Sequence, residues 1–235
     1  MIINPREKIH KDWNSVMNIL YQEPLSTLNE QILPNISYQP KAPDIFNVFS
    51  VPINSIKVVI LGQDPYPTPG DAVGLSFING TDKIPVSLRN IYKEILDSTG
   101  IEEVHPKQWQ EQGVFLLNTA LTVETGKAGS HLKYWENFTK RVITHISINQ
   151  PCLWVLWGRK AEAFSLNIDK KYMVKGYDKN TIENIPINPD WNYVLTAPHP
   201  AAEAYAGGNA GFFGCNHFYY INSILKNKSL KEIKW

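Results

Sequence analysis

The stretch Ile56-Lys57-Val58-Val59-Ile60-Leu61-Gly62-Gln63-Asp64-Pro65-Tyr66-Pro67 constrains this chain more than any other. β-Branched and aliphatic residues run to a glycine. An amide, a carboxylate and an aromatic ring then follow inside a turn. An apolar run of this length, closed by Gly and Pro, predicts a strand buried on both faces. In open α/β sheets, ligands bind just beyond the carboxyl ends of the strands, which makes Asp64 a candidate working carboxylate. Asp-Pro is also an ordinary turn, in which the Asp side chain bonds nearby backbone. Here two prolines fix the backbone on either side of Tyr66, and stiff backbone suits side chains that must be held in place.

Three further runs share the pattern: Val114-Phe115-Leu116-Leu117 before Asn118, Leu153-Trp154-Val155-Leu156-Trp157 before Gly158-Arg159, and Tyr193-Val194-Leu195-Thr196 before Ala197-Pro198-His199-Pro200. Helical spacing separates them. Residues 6–32 place Trp13, Val16, Met17, Ile19 and Leu20 on one broad face. A short helix is expected near Asp44 to Phe49, and another over 88–96 with Ser87 as its N-cap. Residues 134–148 are helical, and a last helix starts near 212–215 and runs to about Lys226. Residues 170–190 read as surface loop with room for some strand. The expected fold class is α/β: a three-layer α/β/α arrangement around a central four-stranded parallel sheet, with residues 1–235 as a single catalytic domain. Right-handed crossovers would bring Asp64, Asn118, Arg159 and His199 to one sheet edge.

The formal net charge of +1 gives no global bias. That argues against a chain that coats nucleic acid by charge, while leaving a local basic patch open. Two cysteines, Cys152 and Cys215, are too few for a four-thiolate zinc or iron–sulfur site, and nothing suggests a disulfide framework. Cys215 and His217 lack a second ligand pair at metal spacing, so a buried thiol and a structural histidine are expected. Residues 1–8 do not read as a signal peptide, and no apolar run is long enough to span a bilayer. A soluble cytoplasmic protein is expected, or a nuclear one if the source is eukaryotic or a nuclear virus.

Asp64, Tyr66, Phe77, Asn118 and His199 form a chemically coherent set. A carboxylate can activate water or stabilise a developing cation, and a histidine N–H can stabilise a developing oxyanion. An Asn amide offers one donor edge and one acceptor edge, which suits a nucleobase. There is no Walker A loop and no GxGxxG. The set suggests a site for a flat heterocycle that works without metal or cofactor. Each residue also has a plainer role open to it. Phe77 could be core, Asn118 a helix cap, His199 a turn histidine, and Arg159 either a DNA contact or a helix-surface residue.

The motifs Gly62-Gln63-Asp64-Pro65-Tyr66, Gly74-Leu75-Ser76-Phe77, Ile84-Pro85-Val86-Ser87-Leu88-Arg89-Asn90-Ile91-Tyr92-Lys93-Glu94, Leu116-Leu117-Asn118, Gly129-Ser130-His131 and His199-Pro200, followed by Gly211-Phe212-Phe213-Gly214-Cys215-Asn216-His217-Phe218, occur in order. Together they resemble the family 1 uracil-DNA glycosylases, from about Val48 to the end of the last helix. The resemblance implies flipping of deoxyuridine out of DNA and hydrolysis of its N-glycosidic bond, leaving free uracil and an abasic site. It implies that Asp64 positions water and stabilises the cationic sugar, and that His199 donates to uracil O2. Losing such an oxyanion donor costs about 2.7–4 kcal/mol of barrier. It further implies that Gln63 binds uracil through its backbone, that Asn118 reads N3–H and O4, that Tyr66 blocks a thymine methyl, and that Phe77 stacks on the ring. Pro85, Ser87, Ser130 and Pro200 would contact DNA. The implied partners are uracil-containing single- or double-stranded DNA and a proteinaceous glycosylase inhibitor, for a chain acting as a monomer away from membranes. Rival expectations are a glycosylase for another damaged base, and a catalytically weak DNA-binding or processivity component of the same fold.

Two departures stand out. The family usually has His where this chain has Pro67, which removes a phosphate contact and predicts weaker DNA binding. After His199-Pro200 the family continues Ser-Pro-Leu-Ser, with the Leu entering the base stack. Here the chain reads Ala201-Ala202-Glu203-Ala204-Tyr205-Ala206-Gly207-Gly208-Asn209-Ala210, a longer segment without that Leu. Tyr205 is the only large apolar side chain in it and is the candidate wedge. The alternative is that nothing fills the gap.

Overall fold

Strands β1 (Val58–Gly62), β2 (Val114–Asn118), β3 (Leu153–Trp157), β4 (Lys171–Val174) and β5 (Asn192–Ala197) form one sheet in the order β2-β1-β3-β5-β4. Every pairing is parallel. The coordinates are a computed structural model that describes residues 9–174 and 184–235. The expectations for residues 1–8 and 175–183 lie outside the described residues. No described helix is long and apolar enough to cross a membrane.

The apolar runs are buried because both sheet faces are covered. Alternate side chains point to opposite faces of a strand. Val59, Leu61, Phe115, Leu117, Trp154 and Leu156 meet the N-terminal segment and the apolar stripe Trp135, Phe138, Val142, Ile143 and Ile146 of helix α2 (Leu132–Asn149). Val58, Ile60, Val114, Leu116, Val155 and Leu195 meet Ile91 and Ile95 of helix α1 (Val86–Thr99) and Phe218, Ile221 and Ile224 of helix α3 (His217–Asn227). Each stripe repeats every three to four residues, as a helix face packed on a sheet requires. The result is three layers.

Four expectations need correction. The sheet has five strands rather than four. The fifth, β4, lies at the edge within the stretch read mainly as loop, and its burial runs from exposed Lys171 to buried Val174. Short, lysine-bearing edge strands carry no long apolar run, so the pattern hid it. The face from Trp13 to Leu20 is buried as expected, but residues 11–35 form short 3₁₀, α and π turns instead of one helix. Pro24 and Pro34 cannot donate to a continuous helical ladder. Helix α1 begins at Val86 behind Pro85, so Ser87 sits inside the first turn and is not the N-cap. Helix α3 begins only at His217, because Gly214 (φ 80°) and Asn216 (φ 53°) are left-handed, a conformation that cannot continue a right-handed helix.

The strand order places a switch point at β1. The chain leaves β1 for β2 on one side and returns to β3 on the other. In open α/β sheets the binding crevice opens at such a point, beyond the carboxyl ends.

Candidate active site

A pocket of about 200 Å³ opens at that edge, lined among others by Gln63, Asp64, Tyr66, Phe77, Asn118 and His199. Drug-sized pockets run to about 300–1,000 Å³. This one has room for a single planar ring. Asp64 and His199 follow β1 and β5, and Asn118 closes β2 in register with Gly62. Gly62 is required there, since a Cβ on it would overlap Asn118 Oδ1 and lie 2.8 Å from Ser76 Cβ.

Asp64 is held on both carboxylate oxygens. Oδ1 accepts from Gln63 Nε2 at 2.9 Å, and Oδ2 accepts from the Gly129 N–H at 2.5 Å. The Gly129 turn is itself anchored. Ser130 Oγ accepts from the Glu124 N–H at 2.8 Å, the Thr122 hydroxyl lies 2.9 Å from Nδ1 of buried His131, and the Gly126 N–H donates to the Pro67 carbonyl at 3.0 Å. The Gln63 carbonyl accepts from Thr119 Oγ1 at 2.6 Å and the Ala120 N–H at 3.0 Å, fixing the peptide that leads into Asp64.

Asn118 is 6 % exposed and lines the pocket. Among the described residues its amide has no hydrogen-bond partner. Buried amides without partners are costly, and most find one. An unpaired amide in a pocket wall is therefore set to bond a ligand edge. It does not cap a helix, since the next long helix begins at Leu132.

His199 Nδ1 accepts from the Ala201 N–H at 3.2 Å. That bond assigns the proton of the neutral ring to Nε2. Burial lowers the His199 pKa from its ordinary value, which keeps the ring neutral. Gly158, at φ 84°, lets the histidine approach, since a Cβ there would lie 3.0 Å from His199 Cβ.

Phe77 is both core and pocket wall. It is buried, packs edge-on to Trp157 with ring centres 5.4 Å apart, and lies 5.9 Å from the His199 ring. Its backbone is left-handed at φ 60°. A bulky side chain there costs on the order of 1–3 kcal/mol, strain that tends to persist at functional sites. Tyr66 Oη lies 3.3 Å from Ser87 Oγ, and burial raises its pKa, keeping the phenol protonated.

The remaining predicted residues lie outside the pocket lining. Pro85 ends the extended segment before α1, and Ser130 is half-buried on the Gly129 turn. Pro200 is buried, with its carbonyl accepting from Asn90 Nδ2 at 2.8 Å. Tyr205 is 91 % exposed at the crest of the loop. Arg159 is exposed on a short helix and does not join the set. Among the described residues no group of three His, Cys, Asp or Glu side chains could hold a metal ion.

Sequence reasoning gave no roles to three polar residues that brace the site. On α1, Asn90 and Glu94 stand one helical turn apart. Asn90 holds the start of the residue 200–213 loop, and Glu94 holds its far end by accepting from the Gly214 and Asn216 N–H groups at 2.7 and 2.8 Å. Glu203 braces the loop from within. The available signal was positional: Glu94 lies on the same side of α1 as Ile91 and Ile95, where a carboxylate must find partners.

The Uracil DNA glycosylase superfamily model matches residues 50–226. The uracil-DNA glycosylase of Halalkalibacterium halodurans is 39% identical over 97% of this chain and 96% of its own length. Mimivirus uracil-DNA glycosylase superposes with a TM-score of 0.80 at 24% identity, covering 99% of this chain and 89% of that one. A variant of mimivirus UNG in complex with UGI gives 0.78 at 25%, covering 97% and 88%.

Proposed function

The chain belongs to the Uracil DNA glycosylase superfamily, and from that premise we propose how its site works. It is a DNA repair glycosylase that excises uracil from DNA by hydrolysing the N-glycosidic bond, leaving an abasic site. The observation that carries the assignment of roles is a single small pocket shared by the Asp64 carboxylate, the neutral His199 ring and the unpartnered Asn118 amide.

In this reading the flipped base enters the pocket with Phe77 against its face. Asn118 Oδ1 accepts from N3–H and Nδ2 donates to O4. Cytosine presents the reversed pattern on that edge and would leave buried polar groups unpaired, which is the strongest kind of rejection. Tyr66 occupies the space a thymine methyl would need, and the Gln63 backbone meets a uracil oxygen. As the C1′–N1 bond breaks, its electron pair passes to the base. The His199 Nε2–H stabilises the charge on O2. Asp64 stabilises the cationic sugar and takes the proton of the attacking water. Neither step calls for a metal or cofactor.

Pro85, Ser87, Ser130 and Pro200 are assigned to the DNA strand on either side of the flipped nucleotide, where such contacts position without reading sequence. Pro67 at the pocket mouth supplies no phosphate donor, and DNA binding is correspondingly weaker. Tyr205 is assigned as the wedge that fills the vacated stack. Its exposure at the loop crest supports this. The chain acts as one catalytic domain and as a monomer. The UGI complex of the mimivirus variant supports recognition by a proteinaceous inhibitor of that kind.

The test is product identification on oligonucleotides carrying uracil, hypoxanthine or a mismatch. Free uracil alone is expected. Release of another base in preference would replace the substrate assignment, and tight binding without release would replace the enzyme by a binding component.

A further inference from the structure

We propose that Glu203 is a positioning residue whose carboxylate holds residues 200–213 as a preformed display for duplex DNA. The inference rests on the reading of this loop as the DNA-facing element. The loop is built from Ala, Gly and Asn around one Glu and one Tyr. It belongs to no sheet, and its apolar anchors sit only at its ends, Pro200 at the start and Phe212 and Phe213 at the finish. Glycine-rich segments lose more conformational freedom on ordering than any others, so a loop of this composition needs a specific tether.

Glu203 supplies it. The side chain is 2 % exposed. Oε1 accepts from the Phe212 and Phe213 N–H groups at 2.5 and 3.0 Å, and Oε2 accepts from the Ala210 N–H at 2.9 Å. The Glu203 carbonyl accepts from the Gly208 N–H at 3.0 Å. Among the described residues it has no cationic partner. Burial pushes its pKa up, but the backbone N–H bonds from Phe213, Ala210, Phe212 and Gly211 outweigh burial and hold it below the ordinary value. The carboxylate thus stays charged and acceptor-only, gathering the descending limb of the loop onto its ascending turn. Tyr205, two residues on, is left projecting and 91 % exposed.

Among the described residues, the hydrogen-bond partners of the Glu203 side chain lie in its own loop, and none lines the pocket. Its loss therefore spares the catalytic wall and alters only what the loop does. A preordered loop removes an ordering cost at binding. That benefit matters on duplex, where the base must be unstacked, and least on single strands, where it already is.

The experiment compares wild type, Glu203→Gln, Tyr205→Ala and the double variant on single-stranded and duplex oligonucleotides with one deoxyuridine. A 2-aminopurine beside the deoxyuridine reports unstacking. In Glu203→Gln one acceptor becomes a donor facing backbone N–H groups. The expected loss in kcat/KM is about tenfold on duplex and under about threefold on single strands, with a matching loss of the 2-aminopurine signal. The double variant is expected to be no worse on duplex than Tyr205→Ala. Equal loss on both substrates overturns the proposal. If Glu203→Gln is duplex-selective while Tyr205→Ala harms both substrates equally, the proposal stands and the wedge assignment falls. Amide exchange in the wild-type protein serves if the variant does not fold. Ala210, Phe212 and Phe213 are expected to exchange slowly beside Gly207, and exchange as fast as Gly207 overturns the proposal.

Discussion

Two regions meet at His199 and are held in place by different physics. Behind it lies the strand-end wall: Gly62 and Asn118 on paired backbone and Asp64 two residues beyond the strand end, over a floor of Trp157 and Phe77. Ahead of it lies the residue 200–213 loop, tied by the Glu203 carboxylate and, from α1, by Asn90 and Glu94. The wall inherits its precision from the sheet and its two cores. The loop has no core of its own and depends on a few polar bonds. Groups that must hold position to fractions of an ångström for chemistry belong on the first kind of support. A surface that meets and reshapes a partner tolerates the second. The difference predicts that wall substitutions act on the chemical step with any substrate, whereas loop substitutions act according to strand state.

The largest effect is expected at Asp64. Asp64→Asn keeps the shape and removes the charge, and kcat is expected to fall about 10³-fold or more, equally on single-stranded and duplex DNA. His199→Ala follows at about 10²–10³-fold in kcat, again alike on both. A strong strand-state bias in either would erase the distinction between wall and loop.

Acid tests the floor of the wall. Trp157 Nε1 donates to Nδ1 of buried His217 at 3.1 Å, and burial lowers the His217 pKa to about 3. Below its ordinary value near 6.5, the unfolded state binds a proton that the folded state refuses. Stability must then fall as pH drops through that window toward about 3. Between pH 6.5 and 4.5 this one group is expected to cost about 2 kcal/mol. His217→Asn, which can still accept from Trp157, should flatten that part of the curve in urea melts at each pH. An unchanged slope would remove His217 as the cause. The smallest effect is expected at the loop crest. Tyr205→Ala should lose about tenfold on duplex and little on single strands, as measured by parallel steady-state assays.

The wall was legible in the sequence for a physical reason. A strand buried on both faces must be apolar throughout, and the residue that ends such a run stands out. Asp64, Asn118 and His199 were visible because each follows a run. The edge strand Lys171–Val174 was not, because an edge strand needs neither a continuous run nor clear alternation. The bracing carboxylates were hidden for another reason. Glu94 and Glu203 are stabilised by backbone N–H groups that come together only in the folded chain. Before folding, each looks like any solvated carboxylate. Ser87 was misplaced as a cap because Pro85 already holds the N-cap position. The proposed wedge shows in the sequence only as a gap in the family pattern, with Tyr205 the sole candidate of suitable size.

The most direct measurement is release of free base from a single-stranded oligonucleotide with one deoxyuridine, by the wild-type protein with chelator present. Uracil and an abasic strand are predicted in equal amounts, at a rate the chelator does not change. A folded protein that binds the oligonucleotide but releases no uracil would contradict the account at its centre.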